Sequence, residues 1–183
     1  MSYIRLPIFL LTFNVQIIYM KNFLFCLLAP AAIAVSFVSM PDHASFSGDW
    51  KLNEGKSELG EFGARFAPRS VKVEQKQDNI TIAKTRPGFN GGDPVTTTVT
   101  LTFDGKETES TGFGNSKSKS TSKWSEDGQT LTINSVTAFE RDGQTTELKA
   151  TETWTLTKDG SLSIVTVSSS PRGESTLKCV YGK

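Results

Sequence analysis

The amino-acid sequence predicts an all-β protein, an up-and-down antiparallel β-barrel of about 8–10 strands with a short lid segment after strand 1. Three observations lead there. Beyond residue 45, apolar and polar residues alternate with period two. The pair Asp-Gly recurs at 104–105, 127–128, 142–143 and 159–160, each time between two alternating runs, and no run has the helical period and length of a crossover between parallel strands. Many strands over one apolar face are most stable when the sheet closes and loses its edges. A β-sandwich or an open curved sheet is the alternative, but Greek-key links need longer connections than these turns supply.

The strands follow in order, near 46–52, 70–77, 79–85, 95–103, 106–113, 117–125, 129–139, 144–157, 161–169 and 174–181. The first, FSGDWKL, puts Phe46, Gly48, Trp50 and Leu52 on one face and Ser47, Asp49 and Lys51 on the other. Alternation stops at Asn53, and residues 54–68, EGKSELGEFGARFAP, are long enough for one short helix, ended by Pro68 and weakened by Gly60 and Gly63. VKVEQKQ and ITIAKT reverse at Asp78-Asn79. Val95, Val99, Leu101 and Phe103 share a face with Thr97, and threonines fill the other, where their β-branched side chains suit a pleated surface.

KSKSTSKW sends Lys117, Lys119 and Lys123 one way and Ser118, Ser120, Ser122 and Trp124 the other. Serines cannot fill a barrel core, so if that face is internal it lines a roomy, partly wet space; on an exposed flap it would mean nothing. Leu148, Ala150, Trp154 and Leu156 alternate with Lys149, Thr151, Thr153 and Thr155, and Pro171-Arg172-Gly173 makes the last reversal. Asp-Gly suits tight hairpins because both positions tolerate positive φ.

Residues 1–44 are a leader and linker and 45–183 a single domain. Of the charged residues, Arg5, Lys21 and Asp42 fall in the first part, which leaves 18 basic and 18 acidic residues in the second. That neutrality gives no electrostatic reason to expect nucleic acid as a partner. Residues 20–40, MKNFLFCLLAPAAIAVSFVSM, have a lysine, an apolar run from Phe23 to Val38 and small residues around Ala32-Ile33-Ala34, the layout of a secretory signal peptide. The run is 16 residues and contains Pro30, short for a membrane span. Cleavage after Ala34 or later, before Ser45, fits equally. The apolar stretch upstream, residues 6–19, is read as lying ahead of a true start at Met20, with a two-segment anchor as the alternative. A secreted or periplasmic monomer follows, with no membrane span in the mature domain.

FSGDWKL resembles the opening of the calycin superfamily, the lipocalins and intracellular fatty-acid-binding proteins, where Gly-x-Trp in strand one seals the closed end of a barrel. The terminal TLKCVYGK resembles the closing strand of fatty-acid-binding proteins. The layout is most like that of bacterial secreted lipocalin-like domains. The resemblance implies a barrel that holds a small ligand, a lid or open loop after strand one, and a basic residue capping the tryptophan, for which Lys178 is the match. It also implies an Arg-x-Tyr pair on the last strand; Tyr181 matches, but Cys179 stands where the arginine should be. That departure favours a neutral apolar ligand over a carboxylate.

No catalytic or metal constellation is found. His43 is the single histidine and is read as a solvated linker residue. Cys179 has no histidine to lower its pKa and reads as a small buried hydrophobe. No cofactor is expected, and the protein is expected not to be an enzyme. The ligand-binding candidates are Phe103, Trp124, Phe139 and Trp154 as cavity aromatics, Tyr181 from the resemblance, and Glu152, which alternates onto the apolar face and there needs a partner, water or a bulge. Phe89 and Phe113, single aromatics in glycine-rich loops, are candidates for the rim. The function expected is the binding of a small apolar ligand inside the barrel; the alternative is a cavity-free barrel acting as a structural or protein-interaction domain at the cell surface.

Overall fold

The computed structural model describes residues 42–88, 91–112, 116–141, 143–171 and 173–183. Its ten strands are β1 (Gly48–Leu52), β2 (Ser70–Gln75), β3 (Asn79–Arg86), β4 (Val95–Thr102), β5 (Thr108–Thr111), β6 (Lys117–Trp124), β7 (Thr130–Arg141), β8 (Gln144–Leu156), β9 (Leu162–Ser170) and β10 (Gly173–Gly182). All lie within a few residues of the expected runs. They form one antiparallel sheet in the order β4-β3-β2-β1-β10-β9-β8-β7-β6-β5, so the first strand pairs with the last and the sheet curls into a nearly closed up-and-down barrel. This is the architecture that the resemblance at the two chain ends implies. β4 and β5 are its two edges, and Ser122 Oγ donates across the seam to the Thr102 carbonyl at 3.0 Å.

The turns use Asp-Gly differently from the expected mirror-image hairpin. Gly128 N donates to the Ser125 carbonyl at 3.0 Å and Gly160 N to the Thr157 carbonyl at 2.9 Å, so each turn spans four residues. Glycine ends it in the left-handed region, with φ 75° at Gly105, 68° at Gly128 and 78° at Gly160. The aspartate's part is side-chain capping. The carboxylates of Asp104, Asp127 and Asp159 accept from the backbone N–H two residues on, at Lys106, Gln129 and Ser161, and from a hydroxyl two residues back, at Thr102, Ser125 and Thr157.

After β1 come a single 3-10 turn, Glu54–Lys56, and the helix α1, Gly60–Phe66, which Ala67 and Pro68 follow. Gly63 does more than weaken this helix. A Cβ there would lie 2.5 Å from Leu177 Cδ1, so the missing side chain is what lets α1 approach β10. Two arginines hold the helix's C-terminal end, Arg69 Nη2 on the Ala64 carbonyl at 3.2 Å and Arg86 Nε on the Phe66 carbonyl at 3.1 Å. Arg69 also pairs with Glu54.

The core fills one end of the barrel. Phe46, Trp50, Val73, Ile80, Ile82, Leu101, Leu131, Trp154, Ile164 and Tyr181 are buried there, with Phe103 and Trp124 packed against them. Chain order begins earlier in this plug than the expected domain boundary: Ala44 N donates to the Gly128 carbonyl at 2.8 Å, and Gln75 Nε2 to the Ala44 carbonyl at 3.0 Å. Gly48 and Trp50 do seal this end. Trp50 Nε1 donates to the Phe46 carbonyl at 2.8 Å, and the cation over its ring is Lys183, 5.1 Å from the centroid. Lys178 faces outward instead and pairs with Glu58. A Cβ on Gly48 would sit 3.3 Å from Lys183 Cε, so the glycine makes room for the cap.

Candidate functional site

Register divides the interior into levels. The lowest, across β6 to β10, is Trp124, Leu131, Trp154, Ile164 and Cys179. Above it lie Ser122, Ile133, Glu152, Thr166 and Leu177, and above these Ser120, Ser135, Ala150, Ser168 and Ser175. On β6 and β9 the inward side chains pass from large apolar to small polar at the same height, although the two strands run in opposite directions. β9 ascends through Leu162, Ile164, Thr166 and Ser168, while β6 descends through Ser118, Ser120, Ser122 and Trp124. On the opposite wall β3 passes instead from apolar to charged, with Ile80 and Ile82 below Lys84 and Arg86.

Glu152 sits at the crossing level. Lys84 Nζ, reaching across the barrel from β3, lies 2.5 and 2.6 Å from its two oxygens, and Trp154 Nε1 donates to it at 2.9 Å. Burial alone would raise the Glu152 carboxyl; the Lys84 charge and hydrogen bonds, the Trp154 donor and the more distant Arg86 charge together outweigh it and hold the group below its usual value of 4.5. Lys84 Nζ also stands 5.4 Å from the Trp154 ring centroid. The ion pair is therefore a strut between opposite walls. One level higher, Arg86 is half-buried, tied by Nε to the lid, with Nη1 3.5 Å from Thr97 Oγ1.

The expected site residues separate into three places. Phe103, Trp124 and Trp154 belong to the packed end: Phe46 stacks on Trp124 with ring centroids 5.4 Å apart, and Trp154 meets Phe46 edge-on at 5.9 Å. Tyr181 is buried in the same core, where loss of water pushes its hydroxyl well above the usual range and raises the neighbouring Cys179 thiol too. Glu152 is central and has the structural partner its position required. Phe139, 40% exposed, stands far above it near the β7–β8 turn. Phe89 and Phe113 lie outside the described residues. His43 is not a free linker residue, because its ring stacks on Trp124 at 4.5 Å, nearly parallel, and closes the outside of the plug. Among the described residues, Trp124 Nε1 is the buried side-chain nitrogen without a hydrogen-bond partner.

Sequence reasoning missed Lys84 and Arg86. The signal was present: in Ile80, Ile82, Lys84, Arg86 the two cations share parity with two obvious core residues. The serine face of β6, in contrast, is internal as its alternation allowed, with Ser120 and Ser122 buried and the three lysines exposed. An open groove of about 430 Å3 lies over Asn134, Val136, Thr151 and Val167, and Ser135 and Ala150 also line it. Among the described residues no group of three or more His, Cys, Asp or Glu is placed to hold a metal ion, and no helix is long and apolar enough to cross a membrane.

No family model matches the sequence, and no curated protein matches it. Among solved structures, zebrafish ileal bile acid-binding protein in complex with cholic acid is similar at 22% identity and a TM-score of 0.49, over 76% of this chain and 99% of that chain.

Proposed function

We propose that this protein is an exported carrier that holds a small amphipathic ligand in the mouth half of its barrel. One observation carries the reading: the interior level made of Ser120, Ser135, Ala150, Ser168 and Ser175. Barrels of about eight strands are just filled by ordinary side chains. A ten-stranded barrel is wider, and where five of its strands, β6 to β10, turn serine and alanine inward the side chains are too small to fill it, while the hydroxyls give the wall hydrogen-bonding capacity. The expected apolar compound is thereby refined to one with an apolar body and polar groups along it.

Native mass spectrometry after gentle extraction tests for a retained ligand, and titration with the neutral fluorophore N-phenyl-1-naphthylamine tests for the space. Saturable one-to-one binding is expected, lost when Ser120, Ser135 and Ser168 are replaced together by valine. A protein that is repeatedly empty and does not bind the fluorophore ends the proposal.

Export is supported by the leader-like stretch 20–40. Because His43 and Ala44 are bonded into the barrel, processing belongs upstream of Asp42, and N-terminal sequencing of the mature protein checks this. A mature chain starting at Ser45, or before Met20, overturns it.

A further inference from the structure

Among the described side chains, three charged ones occupy inward positions on the strands: Lys84, Arg86 and Glu152. Lys84 and Glu152 neutralise each other at hydrogen-bond distance. Arg86 is the excess charge. It makes no ion pair with a described carboxylate, and the Phe66 carbonyl and the Thr97 hydroxyl that it meets are neutral. A half-buried guanidinium is strongly favoured by an anion, and its fork can present two N–H groups to one carboxylate. Its Nε bond to the lid fixes the plane of that fork.

Arg86 stands between two fixed neighbours, the strut and the end of α1. The Lys84–Glu152 strut lies one strand repeat, about 7 Å, below it, and Arg86 Nε reaches the Phe66 carbonyl at the C-terminal end of α1. Beneath the strut, Trp154 is fully buried and the aromatic plug follows, so the packed end offers no path for a long chain.

We propose that the mouth half selects a short organic monoanion, its carboxylate held by Arg86 beneath the lid and its body lying over the Lys84–Glu152 strut against the serine wall. This rests on the carrier reading and narrows its ligand. The anion site has moved to β3 from the last strand, where Cys179 replaces the arginine that the resemblance implies.

The test is displacement of N-phenyl-1-naphthylamine from the full barrel by octanoate, octanol and hexadecanoate. Octanoate is expected to compete at least about tenfold more strongly than octanol, the loss of one charge-assisted contact. Hexadecanoate is expected to gain little over octanoate, whereas an enclosing channel would add about fourfold per methylene. Arg86→Gln should reduce octanoate to the level of octanol; Arg86→Lys, which keeps the charge without the fork, should fall between and serves if the glutamine variant does not fold. Octanol equal to octanoate, an undiminished octanoate preference in Arg86→Gln, or a steep gain up to hexadecanoate overturns the inference while leaving the carrier standing. Failure of the fluorophore itself to bind removes the carrier reading, and this one with it.

Discussion

The two ends of the barrel use the same strands and the same period-two alternation, yet one end is solid and the other is lined with hydroxyls. At the closed end the inward residues are Trp50, Leu131, Trp154 and Ile164; two levels up they are Ser120, Ser135, Ala150 and Ser168. On the carrier function proposed above, the difference separates stability from binding by height along the barrel axis. β6 and β9 reach both ends, and their inward residues change character near the level of the Lys84–Glu152 strut. Substitutions at the two ends should therefore have opposite signatures.

The largest expected contrast is between Trp154 and Ser135. Trp154→Ala empties a fully buried indole site and removes a donor to Glu152, so a loss of about 3–5 kcal/mol is expected in urea unfolding at pH 7. Ser135→Ala should stay within about 0.5 kcal/mol. Equal losses at the two positions would break the division between ends.

Next comes the strut. Lys84→Met leaves the Glu152 carboxylate without its cation at a site where both side chains are under a fifth exposed, and a loss of about 3 kcal/mol is expected. Replacing both partners with Met and Leu should return most of it, because no lone charge then remains inside. The pH dependence gives the sign independently. In the wild type the Glu152 carboxyl is held below 4.5, so its stabilising contribution is present above that pH and fades as pH falls through the lowered value. In Lys84→Met burial prevails and the carboxyl rises above 4.5, so the variant should gain stability on acidification from pH 7 to 5. Parallel pH profiles for the two proteins would contradict this account of the strut.

These contrasts also show which parts of the molecule could be read from the chain alone. All ten strands were legible because each has its own alternation and its own bounding turn, and β6 even displayed the change from Ser118, Ser120 and Ser122 to Trp124. The site was less legible. Trp124 and Trp154 look like cavity aromatics until register places them on one level with Leu131 and Ile164. Glu152 announces that it needs a partner, but Lys84 is 68 positions away on the opposite wall, and closure alone brings them together. Lys183 over Trp50 was hidden for a different reason: a residue beyond the last strand has no parity to follow.

A smaller effect is expected at Gly48, whose φ of 144° lies where side chains are strained. Gly48→Ala should cost about 1–2 kcal/mol from the backbone and the crowding at Lys183 Cε together. Its inward neighbours belong to the closed end, so fluorophore binding in the mouth should not change. A weakened site with unchanged stability would mean that the two ends are coupled.

The smallest effect concerns the cap itself. Lys183 Nζ stands over the face of Trp50 from an exposed position, a geometry worth about 0.5–1 kcal/mol. Lys183→Ala removes both that attraction and the packing of its stem, whereas Lys183→Met keeps the stem and removes the charge, so the methionine variant isolates the cation. Because the alanine at position 48 would press on Lys183 Cε, part of the Gly48→Ala cost should vanish when Lys183 is already alanine; the part that persists is backbone strain. A double-mutant cycle with no coupling between the two positions would show that Gly48 is glycine for its conformation alone, and that the cap could tolerate a side chain beside it.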